Sequence, residues 1–335
     1  SLSLLTPYMD PQKSFNMLKK EYGLTNNFRI KSFFKSKKKL NFFSRLIFAI
    51  ICTFQIKRNN KNDYLIISRS IITSIVSALF QTKSYLEIHT EIKGFTKIFF
   101  KLSNLNFVSK NLRFIFINKY LLNFFPKIKK DYLVLDDSVN FSLFKDNSKT
   151  KKQKNTCAYF GSLTKGKGIE IIEKVSRRLP EINFHIYGDL SISDFKNKKI
   201  NKNNFHFFNY VKYNEIPKIM SKYEVMLMPY LNNVSVRSNN LDTAKYMSPL
   251  KLFEYLSMSK ILIASDLKVY SHILKNNQNS ILIKPHNINE WCLKIKYVFN
   301  NLKKLQYLRN RALCTAKKYT WNQRVEKIFN HSETR

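Results

Sequence analysis

Short apolar runs alternate with amphipathic stretches along most of this 335-residue chain. In the first half the runs are Leu2–Leu5, Tyr64–Ser68, Ser84–His89, Arg113–Ile117 and Tyr132–Leu135. Helical spacing reads near Phe42–Phe54, Ile71–Phe80 and Lys93–Leu102. A cleaner series follows, with strands expected at Cys157–Leu163, Ile182–Gly188, Phe205–Val211, Val225–Tyr230, Ile261–Ser265 and Ser280–Ile283. The intervening helices are expected at Gly168–Leu179, Glu215–Tyr223, Pro249–Met258, Lys268–Leu274, Glu290–Asn300 and Leu302–Tyr319, with a last one from Trp321. Apolar runs that do not strictly alternate with polar residues are what strands covered on both faces look like. Their alternation with helices predicts an α/β fold built on parallel sheets. The Lys-, Asn- and Ser-rich segment Lys145–Asn155 holds almost no apolar residue and reads as a linker. The chain therefore divides into a domain over residues 1–146, a second over 156–320, and a final helix in 321–335. Ligands of doubly wound sheets sit at the carboxyl ends of the strands, so the strand-end loops are where chemistry is sought.

Composition narrows this picture. With 44% hydrophobic and 14% aromatic residues, the chain can bury a core in each of two domains of ordinary size, which excludes disorder. The longest apolar run, Leu46 to Ile56, is shorter than the ~18–20 residues a membrane span needs. Cys52, Cys157, Cys292 and Cys314 lie far apart with no CxxC pair, so reduced core thiols are expected rather than a disulfide framework or a zinc site. The net charge of +37 is spread evenly: 26 basic and 9 acidic residues in 1–150, 33 and 13 in the remainder. An even surplus reads as compositional bias rather than a dedicated polyanion surface. No nucleic-acid module is present and the aromatics fall at core periodicity, so no specific nucleic-acid partner is expected. The stretch Arg29–Arg45, with Lys37, Lys38 and Lys39 close to Phe42, Phe43 and Leu46, suits anionic lipid headgroups and reads equally well as a solvated basic loop.

Glycine is more informative than charge. Of only 6 glycines, Gly161, Gly166 and Gly168 fall in one turn between an apolar strand and an amphipathic helix, with Lys167 among them. Such a turn lets backbone approach a phosphate while the helix start offers free N–H groups and the lysine a mobile charge. It reads equally as a tight strand-to-helix turn, and it matches neither GxxxxGK[ST] nor GxGxxG. In Ser248–Leu256 the spacing makes Ser248 an N-cap and Pro249 the first helical residue. Apolar residues surround Glu254 on that helix, so its carboxylate needs partners: the adjacent hydroxyls of a ribose, or an internal salt bridge to Lys251 or another lysine. His89 ends a strand and places an imidazole in a loop over the sheet. Asp136, Asp137 and Ser138 follow another strand end, where the acidic pair could equally cap a helix. Asp266 is expected to cap the helix starting at Lys268.

Taken in order, Tyr159-Phe160-Gly161-Ser162-Leu163 with Lys167-Gly168, Phe184 to Gly188, Val225 to Tyr230, Ser248 to Tyr255 and Ile263 to Asp266 resemble the nucleotide-sugar domain of retaining GT-B glycosyltransferases of the large family four. The likeness covers about residues 157–327, including Tyr319-Thr320-Trp321 with Arg324. It extends more loosely to Arg69-Ser70, Glu87-Ile88-His89 and Asp137 to Asn140. The resemblance implies two Rossmann-like domains with the active site in the cleft, a final helix crossing back to the first domain, and no cofactor or metal. By position it implies that Lys167 neutralises the donor diphosphate in the Gly161, Ser162, Gly166 and Gly168 turn. The segment Ser248, Pro249 and Leu250 would bind phosphate oxygens through the amides of Ser248 and Leu250, and Glu254 would hold the ribose. Backbone at Tyr210 and Val211 would face the base, and His89 would sit beside the transferred sugar. Asp137, Ser138 and Tyr246 would stand on the acceptor or cleft side. Where family members commonly carry Arg or Lys this chain has Ser162, and where they carry an acid it has Tyr246. The family's first strand and Gly-rich acceptor loop are not found, so an N-terminal truncation is expected.

The implied activity is transfer of a sugar, with retention, from a nucleoside diphosphate sugar to a saccharide or lipid-linked acceptor in cell-surface polysaccharide or glycolipid synthesis. The implied place is the cytoplasmic face of the cell membrane. The alternatives are a catalytically degenerate binding protein and a sugar-nucleotide epimerase on the same fold.

Overall fold

The computed structural model describes residues 3–8, 15–22, 29–34, 41–59, 64–126, 128, 131–146, 149–190, 203–236 and 239–333. Contacts divide the chain into two units, Ser1–Leu135 and Asp136–Arg335.

In the first unit the apolar runs become β3 (Ile66–Ser68), β4 (Ser84–Ile88), β5 (Leu112–Phe116) and β6 (Tyr132–Val134) once β1 (Ser3–Tyr8) and β2 (Arg29–Phe34) are counted. β3 to β6 form an all-parallel sheet in chain order, with Ser84 to Ile88 in register with Leu112 to Phe116. β1 and β2 pair parallel as a separate two-stranded sheet. The helices are α1 (Phe15–Tyr22), α2 (Phe42–Asn59), α3 (Ile71–Leu79) and the short α4 (Phe95–Phe100) and α5 (Asn106–Ser109). α3 starts at Ser70, whose side chain accepts from the Thr73 amide, and is buried from Ile72 to Ala78 against α2 and the sheet. Burying a run that long requires small residues on one side, which Ser74, Ser77 and Ala78 provide. The basic segment from Arg29 thus opens as a strand, paired parallel with β1, rather than as a loop, a backbone pairing that its lysines obscure in the sequence. Lys37, Lys38 and Lys39 lie outside the described residues.

The second unit holds β7 (Thr156–Phe160), β8 (Asn183–Tyr187), β9 (Phe205–Phe208), β10 (Val225–Met228), β13 (Ile261–Ser265) and β14 (Ile281–Ile283). A short antiparallel hairpin, β11 (Ser235–Val236) and β12 (Asn239–Asp242), precedes β13 in the chain. The six-stranded sheet is all parallel in the order β14-β13-β10-β7-β8-β9. The order in which successive strands are added therefore reverses beside β7. Three strands run outward on one side and three on the other, the order of dinucleotide-binding sheets, and the carboxyl ends of β7 and β10 flank the switch point where such sheets bind ligands. The helices are α6 (Ile169–Ser176), α7 (Ile216–Met220), α8 (Leu250–Ser257), α9 (Ile288–Asn300), α10 (Gln306–Ala316) and α11 (Trp321–Glu333). Alternation along the strands sends Cys157, Tyr159, Val225, Leu227, Ile261 and Ile263 into one core with α6 and α9. α8 and α10 pack on each other and on β13.

Lys145–Asn155, the expected linker, is bound to the second unit. Lys152 Nζ donates to Ser221 O at 2.8 Å, the Gln153 amide to Lys222 O at 2.7 Å, and Asp146 pairs with the fully buried Lys260 at 2.9 Å. These polar attachments leave no apolar signature in the sequence. The helix expected from Lys268 to Leu274 shrinks to one 3-10 turn, Lys268–Tyr270. Asp266 does not cap it: Leu267 holds the cap position without a side-chain bond, and the Asp266 amide donates to Ile283 O. The four cysteines are free, but only Cys52 and Cys157 are buried; Cys314 is exposed and so is not a core thiol. Among the described residues no helix is long and apolar enough to cross a membrane.

Candidate functional site

The turn after β7 joins the strand end to α6, and its glycines have distinct reasons. Gly161 has φ +141°, and its bare face meets Lys251: a Cβ there would come within 2.9 Å of Lys251 Cε. Gly166 (φ +86°) and Gly168 (φ +80°) lie in the left-handed region, and a side chain at either would collide with protein backbone, that of Asn233 and Val234 or of Pro229. Glycine at 166 and 168 is thus accounted for by close packing on the segment leaving β10. The Leu231 amide bonds Gly166 O at 2.9 Å and seals that contact. Only Gly161 combines a special conformation with a neighbouring cation. Ser162 is exposed, and its carbonyl accepts from Tyr159 OH at 2.8 Å.

Lys167 leaves this turn half-buried and holds its Nζ 4.7 Å from the centre of the Tyr230 ring, just past β10. Burial pulls its ammonium down to about 8. The geometry therefore brings Lys167 to the switch point.

α8 begins at Leu250, with Pro249 (φ −79°, ψ 118°) as its cap and no side-chain cap bond. This corrects the expectation that Ser248 caps the helix. Pro249 is itself extended, so Ser248 lies a residue too early, and its Oγ instead accepts from the Asp137 amide at 2.8 Å. Every residue from Lys251 to Ser257 is buried, and Leu250 is exposed. A helix covered on all sides must satisfy or neutralise its polar groups. Tyr255 does so by bonding the amide of Phe160 at 2.8 Å and its carbonyl at 3.2 Å, which anchors α8 to the end of β7. Glu254 is hydrogen-bonded to Tyr213, and burial raises its carboxyl to about 7 against the opposing pull of Lys251 and that bond. Lys251 does not form the internal salt bridge considered above: its Nζ has no hydrogen-bond partner and lies over the rings of Tyr159 at 3.7 Å and Tyr230 at 5.3 Å.

The structure thus gathers Gly161, Lys167 and Glu254 around Tyr159 and Tyr230. The other predicted residues fall elsewhere or play structural parts. Tyr210, after β9, is 66% exposed, and Val211 is half-buried beside it. Asp137 and Ser138 are buried in a loop that caps no helix, and Tyr246 is completely buried. Asp136 pairs with His272 at 2.8 Å, and its carbonyl accepts from Arg324 on α11 at 3.1 Å. In the first unit His89 follows β4 with Nε2 3.2 Å from Glu87, whose other oxygen faces Arg69 at 3.4 Å. In the sequence Lys251 stood only as a possible salt-bridge partner of Glu254, and Tyr230 and Tyr213 carried no role in the site. The signal for Lys251 was a lysine inside a helix apolar on every side; the tyrosines are lost among 18. Among the described residues no three His, Cys, Asp or Glu side chains gather as metal ligands would.

Residues 140–313 match the family model described as glycosyl transferases group 1. A stretch of 137 residues is 28% identical to poly(ribitol-phosphate) alpha-N-acetylglucosaminyltransferase of Staphylococcus aureus (strain COL), covering 40% of this chain and 25% of that enzyme. The chain therefore spans about a quarter of the length of the curated relative it matches. Among solved structures, a glycosyltransferase from Rickettsia africae ESF-5 superposes with a TM-score of 0.71 at 15% identity, over 92% of this chain and 86% of that one. HepE of Anabaena in complex with UDP gives 0.67 at 12% identity, over 94% and 89%. At these identities the structures share the fold: two Rossmann-like units of the GT-B class.

Proposed function

The chain belongs to the glycosyl transferases group 1 family, and on that premise we propose that it transfers a sugar from a nucleoside diphosphate donor to a saccharide or lipid-linked acceptor in cell-surface polymer or glycolipid synthesis. One observation carries the reading. A buried carboxyl, Glu254, and a half-buried lysine, Lys167, both act on Tyr230 beside a backbone turn at the switch point of a sheet with nucleotide-binding strand order. Nothing in the packing of an apolar core calls for either charge there.

In this reading Glu254 holds the adjacent ribose hydroxyls, for which two oxygens on one rigid side chain are suited. Lys167 faces the diphosphate. As the glycosidic bond breaks, negative charge grows on the leaving diphosphate, and a preorganised cation stabilises that charge more than it stabilises the intact donor. We assign retention to the same arrangement: a diphosphate oxygen assists the acceptor hydroxyl on the face it leaves, with Lys167 in place of a metal. His89 is assigned to the transferred sugar. The relative that acts on poly(ribitol-phosphate) and the neighbour that binds UDP favour a cell-surface polymer acceptor and a UDP-linked donor. The exposed residues Phe43, Ile47 and Phe54 on α2, with Arg45 between them, support docking to an anionic membrane face.

The test is transfer and hydrolysis with UDP-, GDP- and ADP-sugars, with product anomers read by NMR. A retained anomer in a metal-free buffer is expected. Lys167→Met should lower kcat by about 100-fold or more while leaving the nucleoside contact intact. Inactivity with every donor would refute the enzymatic assignment, and an inverted product would refute retention. Equal binding of wild type and a Phe43→Ser, Ile47→Ser, Phe54→Ser variant to anionic vesicles would refute the membrane docking.

A further inference from the structure

Lys251 is a buried amine whose contacts in the described site are aromatic faces. Its Nζ lies 3.7 Å from the centre of the Tyr159 ring and 5.3 Å from that of Tyr230, and makes no hydrogen bond. Lys167, from a different element, lies 4.7 Å from the same Tyr230 ring. Two lysines therefore converge on one tyrosine, beneath the only glycine of the turn whose bare face is turned to a cation. Leaving a buried donor unbonded costs about 1–3 kcal/mol, more when it is charged, and a second lysine close by adds to that cost. Packing alone gives no reason to keep it: a methionine has nearly the same shape and no donor to leave unbonded. A dianion at the turn would give both amines a partner.

We propose that Lys251 is a second ligand of the donor diphosphate, acting with Lys167 as a two-lysine clamp at the Gly161 turn. The inference rests on the donor reading of this site and adds to it a residue on α8, where the uncharged Ser162 offers no cation of its own. The titratable groups facing Lys251 are Lys167 from the turn, Glu254 on its own helix, Tyr159 on β7 and Tyr230 after β10, with Tyr213 beyond them on Glu254. Burial and Lys167 hold Lys251 well below the usual lysine range. A diphosphate arriving beside it would offset that burial and favour the protonated amine. Binding should take up protons, and part of that uptake belongs to Lys251.

The experiment is calorimetric titration at pH 8, in two buffers of different ionisation heat, with UDP, GDP and ADP and with the matching nucleosides. Wild type should bind one diphosphate far more tightly than its nucleoside and with net proton uptake. Lys251→Met should bind that diphosphate roughly 10- to 100-fold more weakly, the loss of one charge-assisted hydrogen bond. It should take up fewer protons and bind the nucleoside as wild type does. Lys251→Arg, which keeps the charge, should recover most of the affinity. The methionine variant should also melt no lower than wild type without ligand; should it fail to fold, Lys251→Gln carries the same comparison. If wild type binds a diphosphate and the methionine variant matches it in affinity and proton uptake, Lys251 is not a ligand while the donor site stands. If the variant loses diphosphate and nucleoside equally, its effect is structural and the clamp is refuted. If wild type binds none of the three diphosphates, the donor reading falls and this inference with it.

Discussion

Replacing Glu254 with glutamine should stabilise the ligand-free protein while abolishing its activity, and the gain should depend on pH in a defined direction. Glu254 is only 7% exposed, and its carboxyl rises from 4.5 to about 7 on folding, with burial the leading cause. Between those values the folded protein holds a proton that the unfolded chain has released. Stability therefore falls as pH climbs from about 4.5 to about 7 and levels off above. A difference of that size corresponds to roughly 3 kcal/mol at full ionisation. With relaxation of the site, about 1–3 kcal/mol is expected. Glutamine has nearly the same shape, can bond Tyr213 and does not ionise, so Glu254→Gln removes this penalty. For a unit of this size the variant should melt about 2–12 °C above wild type at pH 8. At pH 5, where the wild-type carboxyl is already protonated when folded, the advantage should drop below about 1 kcal/mol. The assay is thermal denaturation of both proteins at the two pH values, alongside donor turnover. A variant that is less stable at both pH values, or whose gain is equal at pH 5 and pH 8, would refute the view that Glu254 is an ionisable group held against its own solvation for the sake of a ligand. It would identify the carboxylate as part of a structural pair.

Gly168→Ala should destabilise the protein by about 2–4 kcal/mol, combining a left-handed backbone with displacement of the Pro229 carbonyl, and denaturant melts will show it; a neutral result would mean the turn is not packed as described. Asp146→Asn should cost about 3–5 kcal/mol by leaving Lys260 buried beside a neutral amide, and adding Lys260→Met should restore part of that, whereas additive losses in the double variant would contradict the pairing. Burial pushes the Asp146 carboxyl up, but Lys260 and Lys152 together outweigh it and hold the group below its ordinary value, so its stabilising contribution is present at neutral pH and fades as pH falls through the acid range. The wild-type–minus–Asn difference should shrink accordingly in melts at acid pH.

Much of the second unit was legible in the chain. Runs such as Ile261–Ser265 and Val225–Met228 could only be strands covered on both faces, and the apolar surroundings of Glu254 marked its helix as buried. Less was visible where lysines interrupt the pattern. β2 hides in a segment whose charges read as a loop, and the attachment of 145–155 rests on ion pairs and carbonyls that no periodicity predicts. The glycine cluster was visible but its meaning was not. Two of its three members are required by backbone of the segment leaving β10, remote in sequence, and one faces a lysine more than eighty residues away.

Most of the elements were written in the chain, because hydrophobic period and turn chemistry act within a few residues; the same local pattern marked Glu254 and the Gly161 turn as places where charge and backbone freedom are out of keeping with a plain core. Only the tertiary structure decided which strands are neighbours. It set β7 beside β10, so that Lys167 and Lys251 meet over Tyr230, and it gave Ser248 to Asp137 rather than to its own helix. Strand order and the meeting of side chains depend on how apolar faces pack across long sequence separations, and a linear pattern carries no record of which face will cover which.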